Sequence, residues 1–366
     1  MEGETLVEEL GRLATFVASL PLHDRIFLGV SLLVAVLLFL TLLFTSYALY
    51  LRGRNVLKER RWRGREERWT DLVLQVLSET APPDTLRRGV GRGEQLAFLD
   101  FLLRYARRLR GPERRKLEEL AVPFLPALIP QLREEDLYSR ARAVQTLGSL
   151  GLPEYRKEVA RALDDEAPFV AMVAARALAS TGTPEDRTRI VERLHRFDHW
   201  SVEYLASLLT EMGPEVAPEL RRVMASPDQP VRVRKVTAEA LHDLHDLEAA
   251  DAAAAALSGE GDPELQVSLL RILAKLGRPE HAERVRRYLR SESSPVRGVA
   301  FKALGILGGG DDLESLRAGL YDPSPWVALD AARALRRLGG EEGLRNLSGS
   351  DHPRAALAAQ VLEEGT

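Results

Sequence analysis

The stretch SSPVRGVAFKALGILGGGDDLESLRAGLYDPSPWVALDAARALRRLG, residues 293–339, decides the fold. It carries one unit twice: a Pro-opened apolar segment ending in Leu-Gly, at Leu307-Gly308 and again at Leu338-Gly339. Reading outward, the same mark stands at Leu150-Gly151, Met212-Gly213 and Leu276-Gly277, with Gly182 and His245 filling the gaps. Every step is 31 or 32 residues. A fixed period of this size predicts stacked helix pairs, because one pair is too small to bury its own apolar face.

Helix punctuation follows the same beat. Pro153, Pro184, Pro214 and Pro279 open the first helix of a unit; Pro168, Pro230, Pro263, Pro295, Pro325 and Pro353 open the second. Proline just inside a helix start and glycine just past its end fit what each backbone tolerates. Asp198, Asp228, Asp262, Asp322 and Asp351 precede second helices, where a carboxylate is expected to cap free N–H groups. Aligned second helices give clean columns: Val170, Ser201, Val233, Leu265, Val296 and Val327 are expected inside, as are Leu178, Leu209, Leu241, Leu273, Leu304 and Leu335. Before this array, Leu96, Leu99, Leu102, Leu103 and Ala106 stripe one helix that begins at Gly93. Pro123, Pro126 and Pro130 are expected to break the first helix of the first unit. Glu341–Leu347 leaves barely two turns in the last one, as a capping unit requires.

The segments 228–244, 293–308 and 322–339 resemble the HEAT-repeat pattern: an Asp-Pro turn, Val-Arg, alternating Ala and Leu, then Gly. The resemblance covers about 112–365 and implies an all-α protein, an α-solenoid of about eight helix pairs. The Val-Arg pair stands at Val231-Arg232 and Val296-Arg297 and is replaced at Val170-Ala171, Leu265-Gln266 and Val327-Ala328, so the family's Asp–Arg ladder is expected to be interrupted. The resemblance further implies binding of other proteins, often on a concave face lined by second helices. HEAT-type hydroxylases use His-Glu pairs, and no His here is followed by Glu. HEAT-type phycobilin lyases are similar in repeat length, which keeps a lyase-like or cofactor-chaperone role as the alternative.

Ile26 to Tyr50 is 25 residues without a charge. As a helix at ~1.5 Å per residue it is long enough for a ~30 Å hydrocarbon core. The flank beyond it holds Arg52, Arg54, Lys58, Arg60, Arg61, Arg63, Arg65 and Arg68, while the N-terminal flank is acidic. That asymmetry predicts a single transmembrane helix over 26–51 in a bacterial inner membrane, N-terminus outside and the remainder cytoplasmic. The alternatives are a cleaved signal peptide, which wants a basic start and a shorter apolar run, and a core helix of a soluble protein. Residues 1–25 read as a short extracytoplasmic amphipathic segment, 52–92 as a basic helix and a loop or flexible linker, and 93–366 as the solenoid. The eight collar cations, with Trp62 and Trp69 among them, are candidates for anionic lipid contact.

Charge and composition exclude much. The chain has no Cys, which removes disulfides, thiolate metal sites and Cys nucleophiles. Residues 52–118 hold 18 Lys and Arg against 10 Asp and Glu, whereas 119–366 sum to −8, which argues against nucleic acid along the repeats. No phosphate-binding Gly loop or Ser nucleophile elbow appears. His195 with His199, and His242 with His245, lack the converging third and fourth ligands of a metal site, so they read as surface histidines. The candidate partner-binding residues are Phe169, Trp200 and Trp326 at the turns and Arg176, Glu239, Arg271, Lys302 and Arg333 on the outward side of second helices. With no cofactor indicated, the expectation is a non-catalytic, membrane-anchored scaffold for a protein of a membrane-associated complex.

Overall fold

The computed structural model describes residues 21–364; the side chains of 22–26, 28, 29, 32, 51 and 53–63 fall outside that description. So does the amphipathic reading of the first 20 residues. The described residues are helical, with no strand among them. They divide into two compact units, Met1–Phe124 and Leu125–Thr366.

In the first unit, α1 (Leu22–Leu77) runs 56 residues without a break. The apolar stretch and the basic collar therefore share one rod of ~84 Å. Leu33–Tyr50 has a mean hydropathy of 2.2 and none of it is buried. Two sequence expectations change here. Trp69 does not face lipid: it is fully buried, with its ring 5.5 Å from Phe98 and 5.7 Å from Phe101. The stretch read as a flexible linker contains α2 (Asp84–Gly89) and buries Leu86 and Val90. The same apolar spacing that makes α3 (Gln95–Ala106) amphipathic carries Phe98, Leu99, Phe101 and Leu102 inward. Phe124 meets Phe98 edge-on at 4.9 Å beyond α4 (Pro112–Ala121). Below Gly64 the helix is thus an integral part of a packed aromatic core.

The second unit begins in the proline-broken segment, where Val122–Leu128 and Pro130–Arg133 form tight 3-10 turns as expected. The second helices are α5 (Leu137–Leu150), α7 (Pro168–Thr181), α9 (Val202–Thr210), α11 (Val231–Leu244), α13 (Pro263–Leu276), α15 (Ser294–Leu307), α17 (Pro325–Arg337) and α19 (Ala355–Glu363). The first helices between them are shorter: α6 (Arg156–Arg161), α8 (Pro184–Glu192), α10 (Ala217–Ala225), α12 (Ala249–Leu257), α14 (Ala282–Arg286), α16 (Leu313–Gly319) and α18 (Glu341–Ser348). Successive second helices pack directly on one another, most thinly between α7 and α9.

The column of leucines from Leu178 to Leu335 is buried throughout. Ser201 is the exception in its column: it is exposed, because its hydroxyl caps α9 by accepting from Tyr204 N–H at 3.2 Å. Among the turn aspartates, Asp262 caps as expected, accepting from Leu265 N–H at 2.9 Å. Asp198, Asp228 and Asp351 cap no helix. The period-marking residues serve two ends. Gly213 and Gly339 sit at φ of +83° and +80°, and His245 takes the same left-handed region at +57°. Gly277 is extended, but a Cβ there would stand 2.3 Å from Leu273 O, so only glycine fits.

Candidate protein-docking surface

Each second helix turns one side inward and leaves a column of polar side chains outside. The cations of that column are all partnered across the repeats. Arg271 donates to Glu239 at 2.9 Å, Lys302 lies 3.3 Å from Asp330, and Arg333 makes a bidentate pair with Glu364 at 2.9 and 2.6 Å. Arg176 donates to the Tyr204 hydroxyl at 3.1 Å and lies 3.6 Å from Glu211, bridging the thin seam between α7 and α9. The Arg333 contact holds Glu364 below the usual carboxylate range. What reads in the sequence as a column of free charge is a row of ion pairs clasping neighbouring units. Two open grooves lie over it. One of about 400 Å³ is lined by Val202, Lys235, Glu239, Val267, Arg271 and Pro295; another of about 380 Å³ by Lys302, Asp330, Arg333, Arg336 and Glu364. The structure thus brings together Glu239 with Arg271 and Lys302 with Arg333, and leaves the three aromatics apart from both grooves.

Those aromatics stand at the turns that lead into second helices. Phe169 is 46 % exposed and Trp326 76 %, whereas Trp200 is half-buried, edge-on to Phe197 at 5.8 Å. Tyr138 belongs to the same row, 71 % exposed and 6.5 Å from the Phe169 ring. It lies 31 residues before Phe169, so extending the column one unit back finds it; the prolines of the first unit hide the register.

The Asp–Arg ladder exists as separate rungs. Arg140 donates to both oxygens of Asp165 at 2.9 and 3.0 Å and to the carbonyls of Glu134 and Glu135. Arg297 repeats this with Asp322 at 2.8 and 2.9 Å and with the carbonyls of Ser291 and Glu292. Between them Arg232 turns instead to the Trp200 carbonyl, and Gln266 keeps only the carbonyl bond, to Glu260. Burial pushes the Asp322 carboxyl up, but its bonds from Arg297 and Ser324 N–H win, and it stays below the usual range. A further ion pair that no motif announces, Arg234 with Glu260 at 2.6 Å, is 7 % exposed on each side.

Of the collar cations, Arg68 pairs with Glu94 inside the first unit, and Arg52 is exposed. The side chains of Arg54, Lys58, Arg60, Arg61 and Arg63 lie outside the described residues. His195 contacts the Glu192 carbonyl through Nδ1, and the His242 ring meets Asp243. The metal-like group lies elsewhere, at Asp251, Glu280 and His281. There the Arg278 N–H donates to His281 Nδ1 at 3.0 Å, so that nitrogen is the acceptor, and Nε2 carries the proton it gives to Asp251 at 2.9 Å. A protonated Nε2 is the wrong state for a ligand atom, and Arg278 also holds Asp251, at 2.8 and 3.0 Å. The triad is a hydrogen-bonded clasp between units, and the His281 bond, first, and Arg278 keep Asp251 below the usual carboxylate range.

These features define an all-α protein whose helix pairs stack as an α-solenoid. The sequence profile for HEAT repeats matches residues 125–210 and 250–336. No curated protein sequence matches the chain. Among solved structures, a Kap121p mutant is similar at 16 % identity, covering 84 % of this chain and 42 % of that one with a TM-score of 0.47. Human deoxyhypusine hydroxylase in complex with glycerol is similar at 18 % identity, with coverages of 75 % and 96 % and a TM-score of 0.31. The complex of CpcE and CpcF of phycocyanin lyase from Nostoc sp. is similar at 20 % identity, with coverages of 66 % and 88 % and a TM-score of 0.29. These similarities transfer no activity, ligand or partner to this chain.

Proposed function

We propose that this protein is a non-catalytic scaffold of the bacterial inner membrane. Residues 26–51 cross the bilayer with the N-terminus outside, the first part of the collar, from Arg52 to Arg63, meets anionic headgroups, and the HEAT repeats hold a partner protein in the cytoplasm. The observation that carries the anchor is the run Leu33–Tyr50, apolar on all sides with none of it buried. An exposed apolar surface of that length in water is costly, and lipid removes the cost. The docking half of the reading rests on the repeats themselves, which offer open grooves lined by paired charges. Tethering raises the partner's effective concentration, so individual contacts can stay weak.

Photo-crosslinking in native membranes tests the scaffold. A photoreactive residue placed at Ser207 or Val267, on the second helices, is expected to capture one discrete protein. If both positions yield only unmodified chain while a probe at Leu38 captures lipid, the anchor survives and the scaffold reading is lost.

A further inference from the structure

We infer that the edge formed by the turns before the second helices binds an extended Lys/Arg-rich segment of a partner protein, with apolar side chains interleaved among its cations. The inference rests on the scaffold reading and names the chemistry of its partner. At three of these turns an acidic side chain precedes an apolar one by three residues: Glu135 and Tyr138, Glu166 and Phe169, Asp228 and Val231; in the turn between the last two, Asp198 precedes Trp200 by two. Tyr138, Phe169 and Val231 are 71 %, 46 % and 38 % exposed. Glu135, Glu166 and Asp228 are exposed, and Asp198 in the intervening turn has only His199 beside it, at 3.6 Å.

Two of the basic groups at this edge are already engaged. Arg140 is held by Asp165 and two carbonyls, and Arg232 reaches the Trp200 carbonyl. The exposed acids of the rim belong to an array that sums to −8 over 119–366. The turns adjoin one another, as the Tyr138–Phe169 ring contact, the Arg140–Asp165 bonds, the Arg196 bonds to the Leu163 and Asp165 carbonyls and the Arg232–Trp200 bond show. Beyond Val231 the row stops: Glu260 is consumed by buried Arg234, and Glu264 pairs with Lys235.

Four turns define the footprint. At ~9 Å between packed helices they span roughly 27 Å, which an extended chain at ~3.3 Å per residue covers in about eight or nine residues. Cations from the segment fit the carboxylates and stack on Tyr138 and Phe169, which attract positive charge over their ring faces. Aliphatic residues between them cover Val231.

Full-length protein in uncharged detergent, titrated with a fluorescent twelve-residue peptide of repeating Lys-Leu-Arg, gives the test. The expected results are saturable binding, at least tenfold weakening in the Glu135→Gln/Glu166→Gln/Asp228→Asn variant, and similar weakening in Tyr138→Ser/Phe169→Ser. Neutralising Glu314 and Glu342, exposed acids elsewhere in the array, is expected to leave binding unchanged. Equal weakening in that control, undiminished binding in the edge variants, or equal binding of a Glu-Leu-Asp peptide overturns the inference. Helicity by circular dichroism checks that each variant is folded. Carrying the edge variants through the membrane crosslinking separates the two readings. A partner captured equally by native and edge-variant chains sinks the edge and keeps the scaffold, whereas no capture by the native chain sinks the scaffold alone.

Discussion

Arg297 and Asp322 show what one residue does here. Their side chains are 15 % and 8 % exposed, so removing the guanidinium leaves a carboxylate buried without its counter-charge. Breaking such a pair from one side costs about 3 kcal/mol. Arg297→Gln is therefore expected to lower stability by roughly that amount in urea titration, and a loss within the experimental error would show the rung to be ornamental. Acid has the same target. Asp322 and Asp164 titrate below their ordinary values, Asp164 because Arg193 donates to it. A depressed folded pKa contributes stability above the unfolded pKa, and that stability is lost as pH falls through the folded value. Stability should hold from neutrality down to the usual carboxylate range and fall below it, less steeply in Asp322→Asn.

Among the elements, the helix contacts depend on small side chains at set places. A Cβ on Gly305 of α15 would lie 2.6 Å from the Ala334 Cα of α17, and one on Gly148 of α5 would lie 2.2 Å from the Ala177 Cβ of α7. Both spacings are 29 residues, so the same close approach is built twice. Gly305→Val forces α15 and α17 apart and is expected to cost about 1–3 kcal/mol, measured as a lowered thermal midpoint. Gly309→Ala has open space around its Cβ and serves as the neutral comparison. Equal melting of the two variants would mean that α15 and α17 tolerate a wider spacing. Seams between elements matter as well: α7 and α9 pack thinly, and Arg176 spans them to Tyr204 and Glu211. Arg176→Ala is expected to speed hydrogen exchange in α9 more than in α15, since the latter is packed on both sides.

For the whole molecule, the proposed anchor predicts which side of a bilayer each part would occupy. The absence of Cys makes the chain its own blank for thiol labelling. With single substitutions, Gly3→Cys is expected to react with an impermeant maleimide in spheroplasts and Ser350→Cys only after detergent. The reverse pattern would invert the proposed topology, and labelling of both without detergent would remove the anchor. The charge asymmetry behind this prediction, eight cations from Arg52 to Arg68 on one flank against a net −3 over residues 1–25 on the other, is a property of the covalent chain alone.

Linear order by itself determined the repeat, its 31–32 residue step, the helix starts at Pro168, Pro184, Pro263 and Pro325 and the leucine column inside, because periodicity is a one-dimensional property that a stack must obey; Pro230 and Pro353 stand just outside the helices they are expected to open. It also showed that the Asp–Arg ladder is interrupted, since the missing Val-Arg pairs can be read directly. The tertiary structure decided the fate of each charge. Arg176, Arg271, Lys302 and Arg333 look free in a column, yet each finds its partner in an adjoining repeat, 28 to 35 residues away in sequence. Trp69 looks like an interfacial residue beside arginines until α3 folds over it. Pairing and burial depend on which neighbour arrives, and only the packed chain fixes that.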